Sequence, residues 1–443
     1  MKIAVVGSGI SGLSVAYTLR KTHEVVLFEA DSRLGGHTHT VDVTVDGIEQ
    51  AVDTGFLVYN ERTYPELIAL FKKLNIPTAS TDMSFSVSRG PYEMEWCGSD
   101  LSGLFAQKKH LVSPRFWGMI IDILRFNRQA STLADSMNQA KPDSPLAFGH
   151  TMLDQPLQSF LDRERYGEAF AADYLLPMAA AIWSCPMKQM REFPLGTFVR
   201  FFHNHGLLQI NQRPRWFTVA GGARQYVQAM ASQLTDIRLN TAVLSVEQSV
   251  NAAGQLRLRS TAGDEIFDAV VLACHSDQSL KILQKPRPAQ AQLLSAVRYQ
   301  ENRAWLHCDT ALMPRRRKAW AAWNYLSQQI RDETSNLDRT AVSVSYWLNQ
   351  LQPLKLKRPI FVSLNPLQEP EPASTLRIID YAHPVFDLAA VRAQRQLPSV
   401  QGIDGVWFAG AWTAYGFHED GLRSGLAVAR AIEDLPRSLA LAA

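Results

Sequence analysis

Cysteine is scarce in this 443-residue chain: Cys97, Cys185, Cys274 and Cys308 stand far apart, with no C-x-x-C pair and no histidine at zinc spacing. That excludes a disulfide framework and a metal knuckle, and it suits a reducing cytoplasm. An excess of charge of one sign is missing as well. Lys plus Arg (45) against Asp plus Glu (42) leaves a net charge of +3, too small to imply nucleic acid as a partner and compatible with weak attraction to an acidic surface. No apolar run approaches the roughly 20 residues that span a bilayer; the longest, 175–185, is short and holds Pro177. The expected location is cytoplasmic, with peripheral contact at the inner membrane face allowed. What is present, 46% hydrophobic and 20% charged residues, suffices for about two to three domains with real cores.

The opening, Lys2 to Leu19, has the single charge and apolar run of a secretory signal, but a signal needs no glycines at fixed offsets. Here Gly7-Ser8-Gly9-Ile10-Ser11-Gly12 follows the β-run Ile3-Ala4-Val5-Val6 and precedes a helical pattern of Leu13, Ala16, Tyr17 and Leu19. The order is strand, tight turn, helix. Gly7 permits the sharp turn, Gly9 lets backbone approach a pyrophosphate, and Gly12 lets helix pack on strand, while Ile10 and Ser11 open the helix N-terminus towards the phosphates. A second β-run, Glu24 to Phe28, ends in Glu29, where a carboxylate accepts hydrogen bonds from the ribose hydroxyls of an adenosine. FAD and NAD share this unit.

The next segment, Glu29-Ala30-Asp31-Ser32-Arg33-Leu34-Gly35-Gly36-His37-Thr38 with Thr40 beyond it, decides between them. It resembles the E-A-x-x-R-x-G-G-x-x-T stretch of flavoproteins such as amine oxidases, protoporphyrinogen oxidases and phytoene desaturases. Adjacent glycines let the chain pass under the pyrophosphate and ribityl chain, and an arginine offers charge-assisted donors to phosphate. Asp53-Thr54-Gly55-Phe56 resembles the D-x-G segment that approaches the isoalloxazine in the same superfamily. The resemblance implies noncovalent FAD, and an α/β Rossmann-like domain of discontinuous segments (1–56, 216–284 and 402–443) beside an α+β substrate domain (57–215 and 285–401). No second dinucleotide fingerprint follows, so electrons are expected to pass from substrate to flavin and on to oxygen or another acceptor.

Later cofactor pieces are visible on the same pattern. Thr218-Val219-Ala220-Gly221-Gly222 leads into a helical stretch from Ala223, and 237–247, containing Val243, alternates like one strand that would hold adenine by its backbone. Residues 268–273 read as a buried strand, and Gly405-Val406-Trp407-Phe408-Ala409-Gly410 enters a glycine turn. Gly421 and Leu422, after Asp420 of the loop before them, open a small-residue helix over 421–427 whose N-terminus would stabilise negative charge on the reduced ring. Ala411 stands where those flavoproteins usually carry an acidic residue, leaving a ribityl contact there without a side chain.

The variable half carries a narrower resemblance. Thr81 to Ser88, Leu104 to Lys109, Ala180 to Ser184, Asn204 to Gln209 and Arg213 to Trp216 resemble the N-terminal flavoprotein-like domain of plant cyclopropane-fatty-acyl-phospholipid synthases and free-standing bacterial flavoproteins of that group. This implies a lipid or acyl substrate modified by a partner lipid methyltransferase. It leaves two rivals, a flavin amine oxidase and a non-catalytic FAD-binding partner of the methyltransferase. His418, expected in the loop that meets the ring, is the first candidate for moving a proton near neutral pH. Tyr59 is the second, and Asn60, His203 and His205 are similarly placed; nothing marks a lysine for the ring. The amphipathic run Arg115 to Phe126, with arginines at both ends, is expected to bury one face in the substrate domain, the alternative being a membrane-dipping helix. Arg315-Arg316-Arg317-Lys318 beside Trp320 and Trp323 is a candidate headgroup site. No sequence feature sets the oligomeric state.

Overall fold

The computed structural model describes residues 1–90, 93–140, 151–183, 185–209, 213–249, 254–331 and 338–435. Ser184 of the quoted Ala180 to Ser184 stretch and the end of the last cofactor piece, 436–443, lie outside them. The β-branched run Lys2–Val6 forms the middle strand of a five-stranded parallel sheet, in the order Asp236–Arg238, Glu24–Phe28, Lys2–Val6, Ala269–Leu272, Val406–Phe408. Ile3 and Val5 pack into one layer and Ala4 and Val6 into the other, as a parallel sheet covered on both faces requires. An antiparallel sheet of Val243–Gln248, Leu256–Ser260 and Gly263–Phe267 flanks it.

The second half of the molecule is built on a seven-stranded sheet running from Thr375–Val385 through Arg298–His307, Phe361–Leu364, Asp338–Trp347, Trp323–Arg331 and Phe85–Arg89 to Met94–Cys97. Its pairs are antiparallel except Trp323–Arg331 with Phe85–Arg89. Helices cover it. The longest, Pro114–Gln139, buries Phe116, Met119, Phe126, Ala130, Ala134 and Met137 along one stripe, the amphipathic expectation for residues 115–126. The four cysteines are unpaired, and among the described residues no helix is long and apolar enough to cross a membrane.

Two local expectations change. The single strand expected over 237–247 is two: Asp236–Arg238 ends on the parallel sheet, Asn240 turns with φ 51°, and Val243 starts a strand of the antiparallel sheet. The last helix begins at His418, ahead of the expected start, because the Asp420 carboxylate accepts the Phe417 N–H at 3.0 Å and caps the turn. His418 is therefore in the helix and not in the loop. Next to it, the buried Glu419 accepts the amides of Glu66 and Leu67 at 3.0 Å each, which satisfies the free N-terminus of helix Pro65–Leu74.

The first helix, Ile10–Leu19, crosses the last, His418–Glu433, through small residues. A Cβ on Gly425 would lie 2.0 Å from Ser14 Oγ and 2.4 Å from the Ser11 carbonyl. Gly425→Ala is expected to destabilise the protein by about 1–3 kcal/mol, the usual cost of overpacking. Gly9→Ala, whose Cβ meets no protein atom within 4 Å, should leave the apoprotein nearly unchanged. Urea denaturation of the two apoproteins checks the contrast; equal midpoints would contradict it.

Candidate active site

A Cβ on Gly12 would strike the Gly7 carbonyl at 1.8 Å, so the first helix lies against the turn that Gly7 makes at φ 101°. Gly9 caps that helix without a side-chain hydrogen bond, leaving its first amides free. Gly36 passes so close that its Cβ would lie 3.2 Å from Gly9 Cα. The Glu29 carboxylate closes this end. It accepts Ser8 N at 2.9 Å and Ser8 Oγ at 2.5 Å on one oxygen, and Asp31 N at 3.0 Å on the other.

From here one continuous cavity of ≈ 450 Å³ runs past Gly7, Gly9, Ile10, Ser11, Gly35, Gly36 and His37 to Gly55, Phe56, Gly410 and His418, and on into the second domain. Gly55 cannot carry a side chain, since its Cβ would lie 2.0 Å from the His37 carbonyl. Asp53 of the same segment faces away. It is buried, accepts Thr40 Oγ1 at 2.5 Å, Ala223 N at 3.0 Å and Gln352 Nε2 at 2.8 Å, and burial pushes its pKa up to about 6.

Several expected cofactor residues do not border the cavity. Gly12, Gly421 and Leu422 sit in the helix crossing, Thr38 is buried against Tyr226, and Ala30 is exposed. The Arg33 guanidinium pairs with Asp31 at 3.4 Å. The cavity ends at Glu29 and does not reach Val243, and Asp420 is occupied as the helix cap, with its pKa pushed up to about 7 by burial.

Neither expected proton carrier keeps that role. Tyr59 packs among Tyr64, Phe71 and Phe217, 4% exposed and away from the cavity, because its two-residue strand pairs with Trp216–Val219 and turns the ring into the core. His418 does border the cavity, but its Nε2 shares a 2.7 Å hydrogen bond with Tyr226 Oη and its ring stacks on Phe56 at 3.9 Å. Burial pushes its pKa down to about 3, so it is a neutral, positioned ring and no neutral-pH acid. Asn60 is buried, its side-chain oxygen accepting the amides of Arg62 and Thr63. His203 lies 3.8 Å from Asp135 and off the cavity. His205 lines it, donating Nδ1–H to the Phe201 carbonyl at 3.0 Å.

A histidine cluster that no motif announced lines the cavity beside the glycines. His37 lies 5.3 Å from His383 and 6.2 Å from His275, and stacks on Tyr381 at 5.0 Å. His275 stacks on Tyr299 at 4.3 Å. Asn302 Nδ2 donates to His383 Nδ1 at 2.8 Å, and Asn365 Nδ2 fixes the Asn302 amide at 2.7 Å; the neutral His383 therefore carries its proton on Nε2. Burial holds all three rings below the usual histidine range, His383 at about 4, and His37 Nε2 is buried without a partner. The i, i+2 spacing of Tyr381 and His383 on strand Thr375–Val385 was the one sequence signal for them. Cys274 also lines the cavity, but burial raises its thiol to about 11, so it is no nucleophile at neutral pH.

Beyond Gly55 and Phe417 the wall changes character, to Met83, Ile182, Trp183, Phe201, Leu207 and Trp323 among others. Among the described residues that line the whole cavity, Glu29 is the only charged side chain and no lysine or arginine occurs.

A family model described as flavin containing amine oxidoreductase matches residues 10–357. A Mycobacterium tuberculosis chain named as a flavin-containing monoamine oxidase, AofH, is 26% identical over 75% of this chain and 68% of its own. Among solved structures, putrescine oxidase bound to putrescine superposes with a TM-score of 0.68 at 17% identity, over 98% of this chain and 99% of that one. A CLA-producing fatty acid isomerase from P. acnes superposes at 0.64 and 13% identity, over 97% and 98%. The open cradle at Gly9, the uncapped helix and the glycine crossing fit FAD; Glu29 would hold its ribose, the 7–11 and 35–36 segments its diphosphate, and Gly55, Phe56 and His418 its ring.

With no cation in the lining, the neutral histidines His37, His275 and His383 are the groups able to acquire charge towards a diphosphate at Gly9 and Gly36; burial opposes this at all three, repulsion from His383, His275, His418 and last Arg33 opposes it further at His37, and Asp277 favours it at His275. A diphosphate raises their pKa, so binding takes up protons, and the gain is lost as pH rises through the raised values. FAD affinity is expected to fall as pH rises from about 4, where the free His383 titrates, through the raised value of the bound state, by up to about tenfold per unit for each proton taken up. Titration calorimetry in two buffers of different ionisation heat checks it, and a pH-independent Kd without proton uptake contradicts it. His418→Ala, which removes a stack and a buried hydrogen bond, is expected to weaken FAD by about tenfold while leaving the pH profile of flavin reduction in place; a lost pH limb would restore it as a proton carrier.

Proposed function

The chain belongs to the flavin containing amine oxidoreductase family, and on that footing we propose that it oxidises or desaturates a lipid acyl chain. When bound, the flavin takes up the electrons that the substrate loses. The observation that carries the substrate is the wall of the cavity's far half, where none of the described lining residues is Asp, Glu, Lys or Arg. An acyl chain gains about 0.8 kcal/mol for each CH₂ buried against such a wall. An ammonium ion would lose its hydration there without a carboxylate in return. The resemblance to the plant synthases' N-terminal domain adds the class of chain, one modified by a partner methyltransferase.

The chain's own groups do the positioning. Met83, Ile182 and Leu207 exclude water, and Trp183 Nε1 donates to the Tyr415 carbonyl at 3.3 Å, tying the substrate wall to the loop before the last helix. His205, its Nδ1–H spent on Phe201, is held neutral because burial lowers its pKa to about 4, so its Nε2 lone pair serves as a hydrogen-bond acceptor in the wall.

One observation favours an amine: Trp183, Trp216, Trp323 and Tyr415 line the cavity, and a cation is attracted to aromatic rings. Anaerobic mixing of the FAD-loaded protein with cyclopropane-containing phospholipids, free fatty acids and a panel of mono- and diamines separates the readings. Loss of the oxidised flavin absorbance with an acyl compound, and not with amines, is expected. Rapid loss with an amine alone overturns the acyl reading.

A further inference from the structure

Six of the large hydrophobic side chains that remain exposed fall within residues 101–124: Leu101, Leu111, Val112, Trp117, Ile121 and Leu124, exposed by 44–82%. They are not scattered. Trp117, Ile121 and Leu124 lie at i, i+4 and i+7 on the outer face of helix Pro114–Gln139, opposite the stripe that Phe116, Met119 and Phe126 bury. Leu111 and Val112 belong to the preceding turn, which is pinned to the helix because Trp117 Nε1 donates to the Leu111 carbonyl at 3.0 Å. That bond satisfies the indole N–H, and the Trp117 ring leans on Phe105 at 5.9 Å. The result is a preformed apolar ridge whose anchor owes no hydrogen bond to solvent.

Basic side chains stand at both ends of the ridge. Lys108 and Lys109 precede it and Arg128 follows it one turn on, all exposed. Lys109 Nζ donates to the Glu93 backbone carbonyl at 2.5 Å, a neutral acceptor that leaves its charge in place. The carboxylate nearest the ridge on this helix, Asp122, is spent on Arg125 at 3.0 Å and on Gly167 N at 2.8 Å, and the next along, Asp135, comes beyond Arg128. In the basic run 315–318, by contrast, two of the arginines are engaged within the protein. Arg316 pairs with the buried Glu95 at 2.8 Å, Arg317 lies over Trp320 at 3.7 Å, and Trp323 lines the cavity.

We propose that the ridge of Leu111, Val112, Trp117, Ile121 and Leu124, with its rim of Lys108, Lys109 and Arg128, docks the protein on an anionic lipid bilayer. Apolar side chains enter the acyl boundary, the indole sits at the headgroup level, and the cations meet lipid phosphate. A second copy of the chain fits less well, because a two-fold pairing through the ridge brings the Lys108, Lys109 and Arg128 charges of the two copies, all positive, towards one another. The inference stands on this surface alone and does not depend on which substrate the cavity takes.

Sedimentation of the FAD-loaded protein with phosphatidylglycerol-containing vesicles and with pure phosphatidylcholine vesicles tests it. Binding to the anionic vesicles is expected, weakened about fivefold by Lys108→Ala or by Arg128→Ala and at least about tenfold by the double change Ile121→Ser, Leu124→Ser. Both positions are exposed, and unchanged flavin absorbance and thermal midpoint confirm that the double variant is folded. Equal sedimentation of wild type and double variant, or no binding of the wild type to anionic vesicles, overturns the proposal. A dimer seen by light scattering and lost in the double variant would give the ridge to a second copy and also overturn it.

Discussion

Everything in this molecule that handles a dinucleotide follows from one steric constraint: backbone must come against backbone where the Gly7–Gly12 turn, the Gly35–Gly36 strip and the two crossing helices meet. A Cβ on Gly12, Gly36 or Gly425 would sit 1.8–3.2 Å from another backbone or side-chain atom. Gly9 differs, since its missing side chain leaves room for a ligand and not for protein. The same closeness brings the uncapped end of the first helix to the cavity and sets the last helix beside it, so cofactor binding and packing of the parallel sheet share one set of residues.

The second organising feature is the near absence of fixed charge inside. Glu29 stands at one end, Asp53 and Glu419 are turned away to tie elements together, and the histidines are held neutral by burial. A cavity of this kind has a low effective dielectric, where helix amides and ring nitrogens act more strongly on an anionic ligand than they would in water. It also sorts ligands by polarity: the glycine half suits an anion, and the aromatic half suits a chain without charge.

Legibility from sequence followed the range of the interactions. The parallel strands, the glycine turn and the Glu29 position are local patterns, and Ile3 to Val6, Gly7 to Gly12 and Glu24 to Glu29 fold as their residue types dictate. The roles of Arg33, Tyr59 and His418 were not local. Each depends on a partner far along the chain or on burial: Tyr59 on Phe217, His418 on Tyr226, and the access of Arg33 to the cavity on how Gly35 and Gly36 turn. His275 and Tyr299 were invisible for the same reason, and the spacing of Tyr381 and His383 did not show that they meet His37, since only tertiary contact places residues from three separate segments around it.

The central claim is that one cavity serves two ligands, with FAD in the glycine half and an uncharged chain in the aromatic half. A crystal structure of the FAD-loaded protein tests it most directly. It should show the diphosphate against Gly9 and Gly36, the ring ending at Gly55, Phe56 and His418, and the space beside Met83, Ile182 and Leu207 still open. A flavin ring filling that aromatic space, or a diphosphate lying away from Gly9, would contradict it.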